Sequence, residues 1–166
     1  MKFLIFLATL FLLPVTATTA AQLAPSFLSV HRSSTEDRQA IEQVLASYTR
    51  SVNSGDEKAF AALLLDEKIP FMSTSSLDTH GAHLDTRQYE DFRQAVFLSG
   101  KKYEQNFYHV RIEQDDNLAQ ATLDFVTKEA GSQAGGYGWK VIQLLKVNGA
   151  WKIASEFYTA YPLPKS

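Results

Sequence analysis

The chain has 166 residues but no cysteine, and only two methionines, two tryptophans and five prolines. Without thiols there can be no disulfide, zinc–thiolate centre, thiol nucleophile or lipid-bearing anchor cysteine. There is no excess of one charge: 16 Lys and Arg face 18 Asp and Glu, for a net charge of -2. Phosphate backbones demand a basic surface, so nucleic acid is not an expected partner. The sequence has no phosphate-binding loop, G-x-S-x-G elbow, dinucleotide fingerprint or internal repeat, and no cofactor or metal is expected. What is present is 45% hydrophobic and 12% aromatic, the composition of one ordinary folded domain.

Long apolar runs are scarce too. The longest, residues 3–13, is broken only by Thr9. Lys2 precedes it, and Pro14 and small residues such as Ala17, Ala20 and Ala21 follow. That order is the three-part pattern of a secretory signal peptide, and the run falls short of the ~20 residues a membrane-spanning helix needs. The sequence therefore predicts a signal peptide over 1–20, a linker over 21–34 and a domain over 35–162. It also predicts a periplasmic or secreted protein with no membrane attachment once the leader is cleaved.

Within the domain, Ile41, Val44, Leu45, Tyr48 and Val52 form one apolar helical stripe, opened by Ser34 or Thr35 and closed by Gly55. Asp56 is placed to cap a second helix with Phe60 inward. Pro70 reduces residues 69–72 to a short edge strand or an extended segment. After a polar loop, Thr86 is placed to cap a third helix carrying Tyr89, Phe92 and Val96. Alternating strands follow, the last two joined by the hairpin turn Asn148-Gly149. Helices followed by antiparallel strands read as α+β.

Two stretches carry a family likeness. One is Tyr48 followed by Asn53-Ser54-Gly55-Asp56 and Phe60-Ala61-Ala62-Leu63-Leu64. The other is the terminal hairpin from Trp139 through Gly149-Ala150-Trp151-Lys152-Ile153. In these, residues 35–162 resemble the nuclear transport factor 2-like superfamily, with its cystatin-like α+β fold. That group includes ketosteroid isomerases, scytalone dehydratases and SnoaL-like polyketide cyclases. The resemblance implies a cone-like α+β barrel, with three N-terminal helices packed on a curved antiparallel sheet around a pocket.

With Trp151 and Ile153 inward, as the resemblance implies, Ser155 and Phe157 share their parity, and Trp139 and Gln143 are expected opposite them. Tyr48 and Tyr89 join from the helices. The expected ligand-binding set is thus Tyr48, Tyr89, Trp139, Gln143, Trp151, Ser155 and Phe157, suited to a small hydrophobic molecule. Lys140, Ile142, Leu144, Glu156 and Tyr158 are expected to face outward. Of these, Ile142, Leu144 and Tyr158 would form a sheet-to-sheet homodimer interface.

Tyr48 falls where the resemblance places an oxyanion tyrosine. An isomerase-like site also needs a carboxylate base and a second acid. The base position reads Phe71-Met72, and strand 139–147 holds no acid. The alternative is a lyase, isomerase or cyclase using Tyr48 with the loop residues His80, His83 and Asp85. A solvated polar loop is the plainer reading of that cluster, and its spacing alone does not argue for a metal.

Overall fold

Helix α1 (Thr35–Ser54) starts where the Ser34 hydroxyl accepts the Asp37 N–H at 3.1 Å. It stops at Gly55, whose φ of 68° is the left-handed geometry that ends helices. Asp56 caps the short α2 (Glu57–Ala61) by accepting the Ala59 N–H at 2.9 Å. The structure, a computed structural model, describes residues 25, 26, 28, 31–77 and 85–164. The chain divides into two units, Met1–Val30 and His31–Ser166. In the first, the Leu28 N–H donates to the Pro25 carbonyl at 3.0 Å. The expected signal segment lies outside the described residues. Among the described residues no helix is long and apolar enough to cross a membrane.

Strand β1 (Phe71–Ser73) follows α2, then α3 (Tyr89–Arg93) runs on into a wider π turn, Gln94–Leu98. The residue before α3 is Gln88, with no side-chain cap, rather than the expected Thr86. The Thr86 carbonyl instead accepts the Phe71 N–H at 2.8 Å, so segment 85–88 is tied to β1 and the helix starts later. Four long strands complete the domain: β2 (Tyr103–Asp115), β3 (Leu118–Glu129), β4 (Gly135–Val147) and β5 (Ala150–Tyr158). A two-residue β6 (Tyr161–Pro162) ends the sheet.

The expected cone-like barrel is not formed. The sheet is open, in the order β1-β5-β4-β3-β2, with β6 pairing on β4. Strands β1 and β2 lie at opposite edges, so no ladder closes it. Only three residues long and preceded by Pro70, β1 is too short to carry closure around to β2. Nor is the sheet wholly antiparallel, because β1 runs parallel to β5. The architecture is therefore a mixed α+β layer, three helices and an open six-stranded sheet.

The core lies between helices and sheet. Ile41, Leu45, Tyr48 and Val52 of α1 meet Ala121, Leu123, Ile142, Leu144 and Ile153 of the strands. Asn53 pins the end of α1 to β2: its amide accepts the Gln105 N–H at 2.6 Å and donates to the Gln105 carbonyl at 3.3 Å. At the other end of α1, the Asp37 carboxylate accepts from Lys146 Nζ (2.7 Å), Trp151 Nε1 (2.9 Å) and Gln114 Nε2 (2.9 Å). Glycine is required at 138, where a Cβ would lie 1.9 Å from the Thr159 carbonyl oxygen.

The Lys146, Gln114 and Trp151 hydrogen bonds hold the Asp37 carboxyl well below its ordinary value of 3.8. A depressed carboxyl adds stability that is present above its unfolded pKa and disappears as pH falls through the folded one. Asp37→Asn should therefore lower the urea midpoint at pH 7 and flatten its decline below about pH 4. Parallel acid limbs for the two proteins in urea titrations would contradict this role.

Candidate functional site

The Asn148-Gly149 turn, with φ of 51° and 80°, pairs Val147 with Ala150. Lys146 then pairs with Trp151, and Leu144 with Ile153. Counting back along β4 by twos, Ile142 and Lys140 also face the helices. In β5 the register slips between Gln143↔Ser155 and Leu144↔Ile153, leaving Ala154 without a partner. This bulge reverses the parity of everything after it. Glu156 and Tyr158 turn inward, while Ser155 and Phe157 turn out.

Two charged residues thereby enter the core. Lys140 and Glu156 form an ion pair whose side chains are 2% and 0% exposed. Tyr48 arrives from α1 to close a triangle: its hydroxyl accepts from Lys140 Nζ at 2.9 Å and donates to Glu156 Oε1 at 3.0 Å. Burial, then the Glu156 charge, pushes the Tyr48 hydroxyl well above its ordinary value, so it stays a donor. The Lys140 ammonium lies over four rings, with centroids at 4.5 Å (Tyr158), 4.8 Å (Phe125), 5.0 Å (Tyr48) and 6.0 Å (Phe92). Burial lowers the Lys140 pKa, and the attraction of Glu156 opposes that shift. Glu156 Oε2 has no hydrogen-bond partner among the described residues.

A cavity of about 350 Å³ adjoins this triangle, between α3 with its π turn and the sheet. Phe71, Phe92, Val96, Phe125 and Tyr158 supply apolar wall, and Lys140 also lines it. Ser73, Ser75, Gln88, Asp91, Gln105 and Thr127 are its further polar lining. Gln105 Nε2 donates to Thr127 Oγ1 at 2.8 Å, while Gln105 Oε1 has no partner among the described residues. Burial, then the Glu156 and Asp91 charges, raises the Tyr158 phenol far above its usual range.

The overall fold matches many solved structures. A cystatin-like protein of unknown function from Nostoc punctiforme aligns with a TM-score of 0.60 at 11% identity, over 77% of this chain and 93% of that one. A nuclear transport factor 2-like protein of unknown function from Pseudomonas putida aligns at 0.61 and 12% identity, over 76% and 87%. The fold is nuclear transport factor 2-like. A putative scytalone dehydratase from Novosphingobium aromaticivorans aligns at 0.58 and 14% identity, over 79% and 89%. Identities this low establish the fold alone. No protein-family model matches the chain, and no curated protein matches it in sequence.

Within this nuclear transport factor 2-like fold the expected site residues scatter. Tyr48 and Tyr89 are buried among the aromatic rings, but neither lines the cavity. The Tyr89 hydroxyl has no partner among the described residues, and burial with nearby Glu57 pushes its pKa up to about 12. Trp151 is buried as expected, yet its indole N–H serves Asp37. Trp139, Gln143, Ser155 and Phe157 lie on the sheet's other face, with Trp139 49% and Phe157 37% exposed. Ser155 Oγ donates to Gln143 Oε1 there at 2.8 Å. Conversely, Ile142 and Leu144, expected at a dimer interface, are fully buried in the core, and Tyr158 packs against it.

His80 and His83 lie outside the described residues. Asp85 forms a two-point pair with Arg87, both contacts at 2.8 Å. Outside the sheet, Tyr108, Tyr137, Trp139 and Tyr161 surround an exposed groove of about 740 Å³. His109, bulged at φ 51°, meets Asp124 there at 2.7 Å.

Sequence reasoning missed Lys140, Glu156, Gln105 and Asp91. The signal for Lys140 was present: a two-residue turn at 148–149 puts Trp151 opposite Lys146 and so on the face of Lys140. Glu156 needed the bulge, which leaves no local mark in the sequence.

Proposed function

We propose that the protein binds a small, largely apolar, uncharged molecule in the cavity beneath α3. The observation that supports this best is the cavity's lining, in which aromatic and aliphatic side chains such as Phe71, Phe92, Val96 and Phe125 outnumber the polar ones. An anionic ligand fits poorly. Glu156 already neutralises Lys140, and Asp91 adds a further negative group to the wall. A neutral handle such as a carbonyl or hydroxyl can instead meet Lys140, Tyr158 or Gln105.

We also propose that residues 1–20 are a cleaved export signal, placing the mature protein in the periplasm or the medium. A homodimer is a second reading, now moved to the outer face, where Tyr137, Trp139 and Tyr161 are exposed together. Catalysis through Tyr48 is the lesser alternative, because its hydroxyl is already given to Glu156.

Native mass spectrometry of protein purified from its own host tests these readings together. The expected spectrum shows a chain lacking the leader and a small neutral molecule that leaves on denaturation. Val96→Trp, which fills the cavity, should release that molecule while the protein stays folded. Equal retention by Val96→Trp, or no small molecule at all, would overturn the cavity reading. A monomer mass at micromolar concentration would overturn the dimer.

A further inference from the structure

We propose that Lys140 is a covalent attachment point, condensing with an aldehyde or ketone carried into the cavity to form an imine. This rests on the cavity reading and names the class of molecule it would take. Phe92, Phe125 and Tyr158, three of the rings around Lys140 Nζ, are also cavity wall, so the amine stands at the cavity's edge. Its hydrogen bonds go to Tyr48 and Glu156, and among the described residues it has no third acceptor. The group is thus held in place by two partners with one position left to face a ligand.

The surroundings also supply the proton chemistry. Burial favours the uncharged amine. Transfer of one proton from Lys140 Nζ to Glu156 Oε1 turns the ion pair into a neutral pair and frees the nitrogen lone pair. The lone pair attacks the carbonyl carbon, forming the C–N bond as the C=O π electrons move to oxygen. The proton that nitrogen then sheds passes to that oxygen, giving a neutral carbinolamine. Glu156 returns its proton to the hydroxyl, which leaves as water while the nitrogen lone pair forms the C=N bond. The product is an iminium carrying one N–H, beside the Glu156 carboxylate. One ammonium and one carbonyl have become one iminium and one water, with no net gain or loss of protons. The iminium has the ammonium's charge, so Glu156 serves both as counter-ion. Tyr48, hydrogen-bonded to both partners, holds them in register.

The test uses the purified chain with 2-naphthaldehyde and its alcohol, 2-naphthalenemethanol. Fluorescence titration reads non-covalent binding of the alcohol. Sodium cyanoborohydride traps any imine formed by the aldehyde, and intact mass with peptide mapping locates it. The expected result is one adduct, mapped to Lys140, suppressed by excess alcohol and missing from Lys140→Arg. Glu156→Gln should slow trapping by roughly 100-fold, the scale of lost acid–base help. If Lys140→Arg does not fold, mapping of the native chain still assigns the lysine. Alcohol binding with Lys140 unlabelled, or label spread over surface lysines such as Lys101 regardless of alcohol, overturns the imine but leaves the cavity reading standing. Failure of the alcohol to bind overturns both.

Discussion

Lys140→Met should cost about 3–5 kcal/mol of folding stability, because it leaves Glu156 charged and buried with only the Tyr48 hydroxyl as partner. The penalty comes from the stranded carboxylate more than from the lost attraction. A second change, Glu156→Leu on top of Lys140→Met, should therefore restore most of the stability, since apolar replacements of a buried ion pair are often close to neutral. Urea denaturation of the two variants at pH 7 reads both effects. A single variant within about 1 kcal/mol of the parent would mean that water reaches Glu156 and that the pair is not sealed.

Phe60→Ala should be nearly as damaging, at about 3–5 kcal/mol. Phe60 is the hub of the aromatic cluster, with its ring centroid 4.6 Å from Tyr48, 5.2 Å from Phe92, 5.3 Å from Phe97 and 6.0 Å from Tyr89. Its loss opens a void that these rings cannot all close, and it loosens α3 over the cavity. Trp139→Ala removes a larger side chain from the outer face and should change stability by less than about 1 kcal/mol. Thermal or chemical unfolding of both variants checks the assignment of faces. A Trp139 penalty equal to that of Phe60 would reverse it.

The legible parts of this fold were those written in local physics. The stripe Ile41, Leu45, Tyr48 and Val52, the Gly55 stop and the Asp56 cap each depend on neighbours within a few residues, and each is found in place. The Asn148-Gly149 turn is also local, and the register that it fixes was enough to put Lys140 inward. Treating Trp139 as the partner of Trp151's face broke that register by one residue, which exchanges the two faces of a strand. Sheet closure depends on whether β1 reaches β2, a relation between distant segments that no short stretch encodes. Glu156 was hidden for a similar reason, because the unpaired Ala154 is a property of the β4–β5 ladder rather than of β5 alone. A lysine and a glutamate on strands look like solvent-facing residues until the pairing shows that they share one buried face.

The bulge at Ala154 also sets what kinds of genetic change this site can survive. Exchange of one side chain for another, Glu156 apart, leaves the spacing of β5 intact and alters the site by degrees. Gain of a single codon beside 154 would act differently. With the bulge still one residue long, it would present Ser155 and Phe157 to the helices and turn Glu156 and Tyr158 out, stripping Lys140 of its counter-ion in one step. An added residue ahead of Glu156 thus disturbs the inward charge of β5 as surely as an exchange of Glu156 itself.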